Sequence, residues 1–68
     1  MLKPRIKVRL AELDMKQQKL SEYLEVTKQT MSLWVNGKAT PSLETAFKIA
    51  KFLDCKVDDL FLFDERRD

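Results

Sequence analysis

The chain has 68 residues, 44% hydrophobic and 35% charged, a composition typical of one small globular domain and not of a disordered chain. It contains no histidine, one cysteine and one glycine, so it lacks a metal-ligand set, an internal disulfide and a glycine-rich phosphate loop. We therefore expect no enzymatic activity, no cofactor, no metal and no small-molecule ligand. Because no apolar run approaches the roughly 20 residues of a membrane span and no signal peptide is present, we expect a cytoplasmic protein without membrane contact.

Charge is distributed unevenly along the chain, although the formal net charge is only +2. Residues 1–40 carry eight Lys or Arg against four acids, whereas residues 41–68 carry five against seven, which gives +4 and −2. Such an imbalance is compatible with ordinary solvated surface, but it also favours an anionic partner for the first part of the chain.

The first part of the chain predicts three helices. The first begins near Pro4, which the first turn tolerates, and apolar residues recur at one-turn spacing from Ile6 to Leu13. Helices over about 17–24 and 28–35 follow, separated by a tight turn. Their inner stripes point toward one core while their outer faces are polar, which is the pattern of a helix-turn-helix.

The helix over 28–35 carries the more informative outer face. Thr27 is a preferred N-cap, and Asn36 with Gly37 provides a left-handed stop. Its exposed positions are rich in hydrogen-bond donors, and the helix is short enough to enter the DNA major groove. These positions are Lys28, Gln29, Thr30, Ser32 and Leu33.

The second part of the chain predicts two more helices. Ser42 is an N-cap candidate for a fourth helix, whose apolar positions between Leu43 and Leu53 cover a wide stripe. A short fifth helix is predicted around 57–60, with a weak cap because the Lys56 side chain cannot accept a hydrogen bond.

A run of large apolar residues follows the fifth helix. Such a run seldom ends a monomer exposed, so it is either a short strand that pairs with residues near Leu2 or one half of a dimer contact. We favour the dimer contact and predict a dimerisation segment over 60–68. Its interface residues are Leu60, Phe61, Leu62 and Phe63.

Several short motifs occur together over about residues 5–61, although none of them is specific alone. They are Gln17, Asn36-Gly37-Lys38, Pro41-Ser42-Leu43-Glu44, Lys48-Ile49-Ala50 and Asp59-Leu60-Phe61. In combination they resemble the phage repressor and Cro family of helix-turn-helix regulators, also called the XRE family. The chain departs from the family pattern where Ser21 follows Leu20, where Glu25 replaces the turn glycine, and where Val35 replaces a common glutamate.

The resemblance implies an all-α fold, a compact five-helix domain similar to that of lambda repressor, with a short C-terminal strand as an optional addition. One such domain occupies residues 1–68. The resemblance also implies a sequence-specific transcriptional regulator of prokaryotic or phage origin that binds double-stranded DNA. We expect a repressor that binds a palindromic operator as a homodimer. The alternative is a protein-binding module of the same fold, such as an antitoxin or an anti-repressor.

The resemblance assigns roles to individual residues, because in this family the recognition helix lies in the major groove and the preceding helix crosses the backbone. The residues expected to read bases are Lys28, Gln29, Ser32 and Leu33. The residues expected to bind phosphates are Gln17, Thr27, Thr30, Asn36, Lys38 and Thr40. A purely capping or linking role remains open for Asn36 and Thr40, and Trp34 is expected in the core.

Overall fold

The computed structural model describes residues 2–63, and the part of the predicted dimerisation segment over 64–68 lies outside the described residues. The elements in chain order are β1 (Leu2–Pro4), α1 (Ile6–Glu12), α2 (Gln17–Leu24), α3 (Lys28–Val35), α4 (Leu43–Phe52), α5 (Val57–Leu60) and β2 (Phe61–Phe63). The five predicted helices are confirmed in number and order. None of the helices within residues 2–63 is long and apolar enough to cross a membrane.

A two-stranded antiparallel sheet joins the two ends of the described chain, so the all-α expectation is wrong in this detail. The paired residues are Leu2 with Phe63, Lys3 with Leu62, and Pro4 with Phe61. The amide of Arg5 continues the pairing by donating to the carbonyl of Leu60 at 2.7 Å. The C-terminal apolar run therefore forms a short strand that pairs with residues near Leu2, which was the first of the two alternatives.

The core lies where the five helices meet, and each helix contributes at least one buried side chain. Trp34 packs against this core, as expected from its spacing. Leu60 is 0% exposed, so its prediction as a dimer contact is wrong for this fold, because its side chain is buried within its own chain. The buried core consists of Ile6, Leu10, Leu20, Met31, Val35, Ile49, Ala50, Leu53 and Leu60.

Local side-chain caps explain where α3, α4 and α5 begin. The hydroxyls of Thr27 and Ser42 each accept from the amide three residues on, at 3.1 and 3.2 Å. Before α5 the arrangement is reversed, since the Asp59 carboxylate accepts from the amide of Lys56 at 3.0 Å. The predicted caps at Thr27 and Ser42 are confirmed, and α5 begins without an accepting N-cap side chain.

Within residues 2–63, four residues have positive φ angles, and each follows the end of a helix. They are Asp14 (53°), Glu25 (57°), Gly37 (75°) and Asp54 (55°). Glu25 thus takes the left-handed conformation of the turn glycine that it replaces, at a cost of about 1 kcal/mol. Asn36 has a φ of −93°, so Gly37 alone provides the left-handed stop after α3.

Two contacts hold α4 against the first part of the chain. The Arg9 guanidinium on α1 donates to the carbonyls of Leu53 and Asp54 at 2.9 and 3.0 Å, and so satisfies carbonyl groups that the end of α4 leaves unpaired. The rings of Tyr23 on α2 and Phe52 on α4 stack with centroids 4.2 Å apart. The first contact therefore joins α1 to the end of α4, and the second joins α2 to α4.

Candidate nucleic-acid interface

The turn between α2 and α3 consists of residues 25–27 and holds the two helices in a compact pair. The amide of Val26 donates to the carbonyl of Ser21 at 3.1 Å, which closes the end of α2. Leu20 and Met31 are fully buried between the helices and the core. Ser21 is also buried, and its hydroxyl donates to the carbonyl of Gln18 at 2.8 Å. A small polar side chain is therefore accommodated at the position where the family pattern has a small residue.

The outer face of α3 presents the four predicted base-reading residues side by side. Lys28, Gln29, Ser32 and Leu33 together line one shallow, open depression. They share this face because residues four apart on a helix lie one turn above each other. Lys28, Gln29 and Leu33 are exposed, and Ser32 is half-buried. The face therefore offers an ammonium, an amide, a hydroxyl and two methyl groups to a ligand.

The predicted phosphate-binding residues Gln17, Thr27 and Thr30 lie at the N-termini of the two helices. Gln17 is the first residue of α2, and Thr27 is the N-cap of α3. The Thr27 hydroxyl donates to the hydroxyl oxygen of Thr30 at 3.0 Å, so its proton is used within the chain while Thr30 keeps its own proton for a ligand. The amide groups at both helix N-termini add a favourable environment for an anion.

Asn36 takes part in a hydrogen-bond network at the other end of α3. Its Nδ2 donates to the carbonyl oxygen of Ser32 at 2.9 Å and to its hydroxyl oxygen at 3.1 Å. Its Oδ1 accepts from the Lys7 ammonium at 3.3 Å. The side chain of Asn36 therefore caps α3, and this geometry corresponds to the capping role that the sequence left open.

Lys7 is a candidate interface residue that the sequence reasoning missed. Its contact with Asn36, 29 positions away in the chain, brings the exposed side of α1 beside the end of α3. The only sequence signal is the basic character of residues 1–40, which does not distinguish Lys7 from its neighbours. Lys7 adds positive charge where the chain leaves the α3 face.

The loop after α3 holds the last two predicted phosphate-binding residues. The amides of Lys38 and Ala39 both donate to the carbonyl of Leu33, at 2.9 and 3.2 Å, which fixes the backbone of the loop. The side chains of Lys38 and Thr40 are exposed. Lys38 is thus a cation on an ordered loop directly beyond the α3 face.

The three remaining dimer candidates lie on β2. Phe61 is half-buried, whereas Leu62 and Phe63 are exposed. Successive strand residues point to opposite faces, so Phe63 lies on the same face as its partner Leu2, and Leu62 lies on the other face. The tertiary structure thus divides the exposed apolar residues of this run between two surfaces.

Cys55 lies apart from this interface, at the exit of α4. It is half-buried, and burial raises the pKa of its thiol above the ordinary value, although the neighbouring Arg9 acts in the opposite direction. Since only the thiolate is strongly nucleophilic, Cys55 is a weakly reactive thiol at neutral pH. Within the part of the chain that the structure describes, no group of three or more His, Cys, Asp or Glu residues could hold a metal ion.

Two short helices joined by a tight turn, with a donor-rich outer face on the second, define the molecule as a helix-turn-helix domain. Residues 5–65 match the Cro/C1-type HTH DNA-binding domain. The chain therefore belongs to this family of DNA-binding transcriptional regulators, and the resemblance inferred from its motifs is confirmed.

Relatives of similar length share the family and much of the sequence. Uncharacterised HTH-type transcriptional regulators from Archaeoglobus fulgidus and Methanocaldococcus jannaschii (MJ0272) are each 38% identical over 64 residues, 94% of this chain and 90% and 97% of theirs. The Bacillus subtilis regulator YgzD is 36% identical, covering 94% of this chain and 97% of its own. The crystal structure of a candidate DNA-binding protein from Bacteroides fragilis is similar, with a TM-score of 0.83 and 34% identity over 90% of this chain and 98% of its own.

Proposed function

We propose that the protein regulates transcription by binding a palindromic operator in double-stranded DNA as a homodimer, and that it acts as a repressor. The observation that carries this proposal is the shared outer face of α3 formed by Lys28, Gln29, Ser32 and Leu33. Occupancy of a promoter is sufficient for repression, whereas activation requires a further contact with the transcription machinery. Repression is therefore the simpler action for such a domain.

The chemistry of the α3 face suggests what it reads. The Lys28 ammonium can donate to O6 and N7 of guanine, and the Gln29 amide can pair with N6 and N7 of adenine. Leu33 can contact a thymine methyl, and the Ser32 hydroxyl can donate to or accept from a base edge. Each residue would then contribute preference at one or two positions of a half-site.

The positioning contacts would come from residues around this face. Gln17 and Thr30 lie at helix N-termini, where phosphate oxygens are favoured. Lys38 and Thr40 lie on the loop beyond the face, and Lys7 adds a further cation there. These groups would fix the register of the protein on the duplex without reading its sequence.

The proposal is tested by selecting bound sequences from a random duplex pool at low and moderate salt. We expect an enriched palindrome whose half-sites lie about one helical turn apart. Gln29→Ala should relax preference at one position in each half-site and cost roughly 1–3 kcal/mol on the selected site. Gln18→Ala is the matched control, because Gln18 is an exposed glutamine on α2 outside the α3 face. An equal loss of affinity on all sequences for Gln29→Ala would refute its base-reading role.

A protein-binding module, such as an antitoxin or an anti-repressor, is the alternative function. The observation that favours it is the exposure of several large apolar side chains, among them Leu43, Phe47 and Phe63. Salt dependence separates the two functions, since binding through several phosphates weakens steeply with salt while an apolar protein contact does not. Selection without enrichment at either salt concentration would support the alternative.

A further inference from the structure

The outward side of α4 carries the most exposed large apolar side chain among the described residues. Leu43 is 71% exposed, and Phe47, one turn further along the same side of the helix, is 59% exposed. A continuous stripe of two such side chains on a short helix is unfavourable in water unless another surface covers it. Leu43, Phe47 and the neighbouring groove between α4 and α5 together form what we call the α4 surface.

A groove runs beside Phe47 along the junction of α4 and α5. Its apolar wall is formed by Phe47 with Ala50, Cys55 and Val57. The charged residues Lys51, Lys56 and Asp58 complete its lining. The same surface therefore carries a projecting aromatic ring and an apolar groove of its own. Such a surface is self-complementary, which is the requirement for contact between two identical chains around a two-fold axis.

The charges along α4 select one orientation for such a contact. Glu44 lies in the first turn, where it pairs with Lys48 of its own chain at 3.5 Å, and Lys51 lies in the last turn, so the acid is at one end of α4 and both cations are toward the other. Two α4 helices that run antiparallel and cross near Phe47 bring Glu44 of each chain toward Lys51 of the other, whereas parallel helices would oppose like charges. Antiparallel helices also oppose the ends of their dipoles favourably.

The alternative surface for pairing, the β1–β2 sheet, is less suited to it. Its exposed apolar side chains are divided, with Leu2 and Phe63 on one face and Leu62 on the other. The α4 surface, in contrast, presents its apolar side chains on one side. It also shares no residue with the depression on α3.

We propose that a second copy of this chain docks on the α4 surface, with the Phe47 ring of each copy in the groove of the other and the two α4 helices antiparallel. This inference rests on the homodimer of the proposed function and names its interface.

The test compares two serine substitutions of exposed phenylalanines in the full chain, by sedimentation equilibrium over a wide concentration range. Phe47→Ser should raise the dissociation constant of the dimer more than about tenfold, because truncating an aromatic anchor at the centre of an interface has effects of this size. Phe63→Ser, at a position that is 67% exposed, should leave it unchanged. The opposite pattern, equal effects, or a wild-type chain that stays monomeric would overturn the proposal.

A charge exchange provides a second measurement that does not depend on apolar truncation. Glu44→Lys and Lys51→Glu should each weaken the dimer, and the double variant should restore it, because the pairs across the axis are then opposite in sign again. Both side chains are exposed, and Glu44→Lys also removes the Glu44–Lys48 pair, a surface contact whose loss the fold should tolerate. Failure of the double variant to restore dimerisation would refute the antiparallel arrangement.

DNA binding separates a failure of this inference from a failure of the proposed function. If both proposals hold, Phe47→Ser should keep the wild-type affinity for a duplex with one half-site and lose affinity for the palindrome. A wild-type dimer that survives the substitution overturns the α4 interface alone. A wild-type chain that shows no sequence preference on any duplex overturns the proposed function instead.

Discussion

Gly37→Ala tests what fixes the backbone of the loop after α3. Gly37 has a φ of 75°, and a Cβ at this position would lie 3.2 Å from Cδ and 3.4 Å from Cγ of Pro4 on β1. The left-handed backbone costs about 1–2 kcal/mol for alanine, and the close contact adds to this because strand pairing holds the proline ring. The reduced entropy of the unfolded alanine chain returns about 0.4–1 kcal/mol.

The strain less the entropy term is about 0–1.6 kcal/mol. The contact with Pro4 brings the net destabilisation to the upper end of this range, about 1.5 kcal/mol, if β1 cannot move. For a domain of this size the melting temperature should fall by roughly 6–12 °C. Urea unfolding and thermal circular dichroism measure the two quantities. A variant as stable as the wild type, or more stable, would refute both the strained backbone and the contact with β1.

Two companion variants separate the two causes. Pro4→Ala removes the ring that a Cβ at position 37 would meet, so Gly37→Ala should cost less in that background, while the backbone strain persists. Gly37→Asn should cost less than Gly37→Ala if strain dominates, because asparagine tolerates the left-handed region better. If Gly37→Ala costs the same in the wild-type chain and in the Pro4→Ala variant, the contact with the proline ring contributes nothing.

Three further substitutions test the strained turn after α2, the cap of α4 and the proposed phosphate contact of Lys38. Glu25→Gly should raise the free energy of unfolding by up to about 0.6 kcal/mol, because relief of about 1 kcal/mol of strain at a φ of 57° is partly offset by the larger unfolded-state entropy of glycine. Urea titration that shows a loss of stability would contradict this strain. Ser42→Ala should lower the free energy of unfolding by about 1 kcal/mol, because the N-cap of α4 is lost. An unchanged urea midpoint would mean that the cap contributes little. Lys38→Ala should weaken binding to all duplexes alike and reduce the salt slope by about one, and an altered sequence preference in the selection would contradict a phosphate role.

The helices of the motif could be predicted from the sequence because their signals are local. The bounds 17–24 and 28–35 follow from apolar spacing, the Thr27 cap and Gly37, all of which act within a few residues. The α3 face follows as well, since helix geometry alone brings together residues one turn apart.

Other features depend on which distant segment covers a residue, and local patterns do not carry that information. Leu60 and Phe63 belong to one apolar run, yet the first is buried in the core and the second is exposed, because β2 pairs with β1 nearly the whole chain away. Phe47 belongs to an apolar stripe of α4 that is wider than the surface that α2 and α5 cover, so its ring remains outside.

The contact between Lys7 and Asn36 has the same origin, since only the packed fold places α1 beside the end of α3. The sequence by itself therefore determined the helices, their caps and the face that α3 presents, because these depend on neighbours in the chain. The tertiary structure decided which apolar residues stay exposed and which cation lies beside the end of α3, because burial and contact depend on segments that are far apart in the chain.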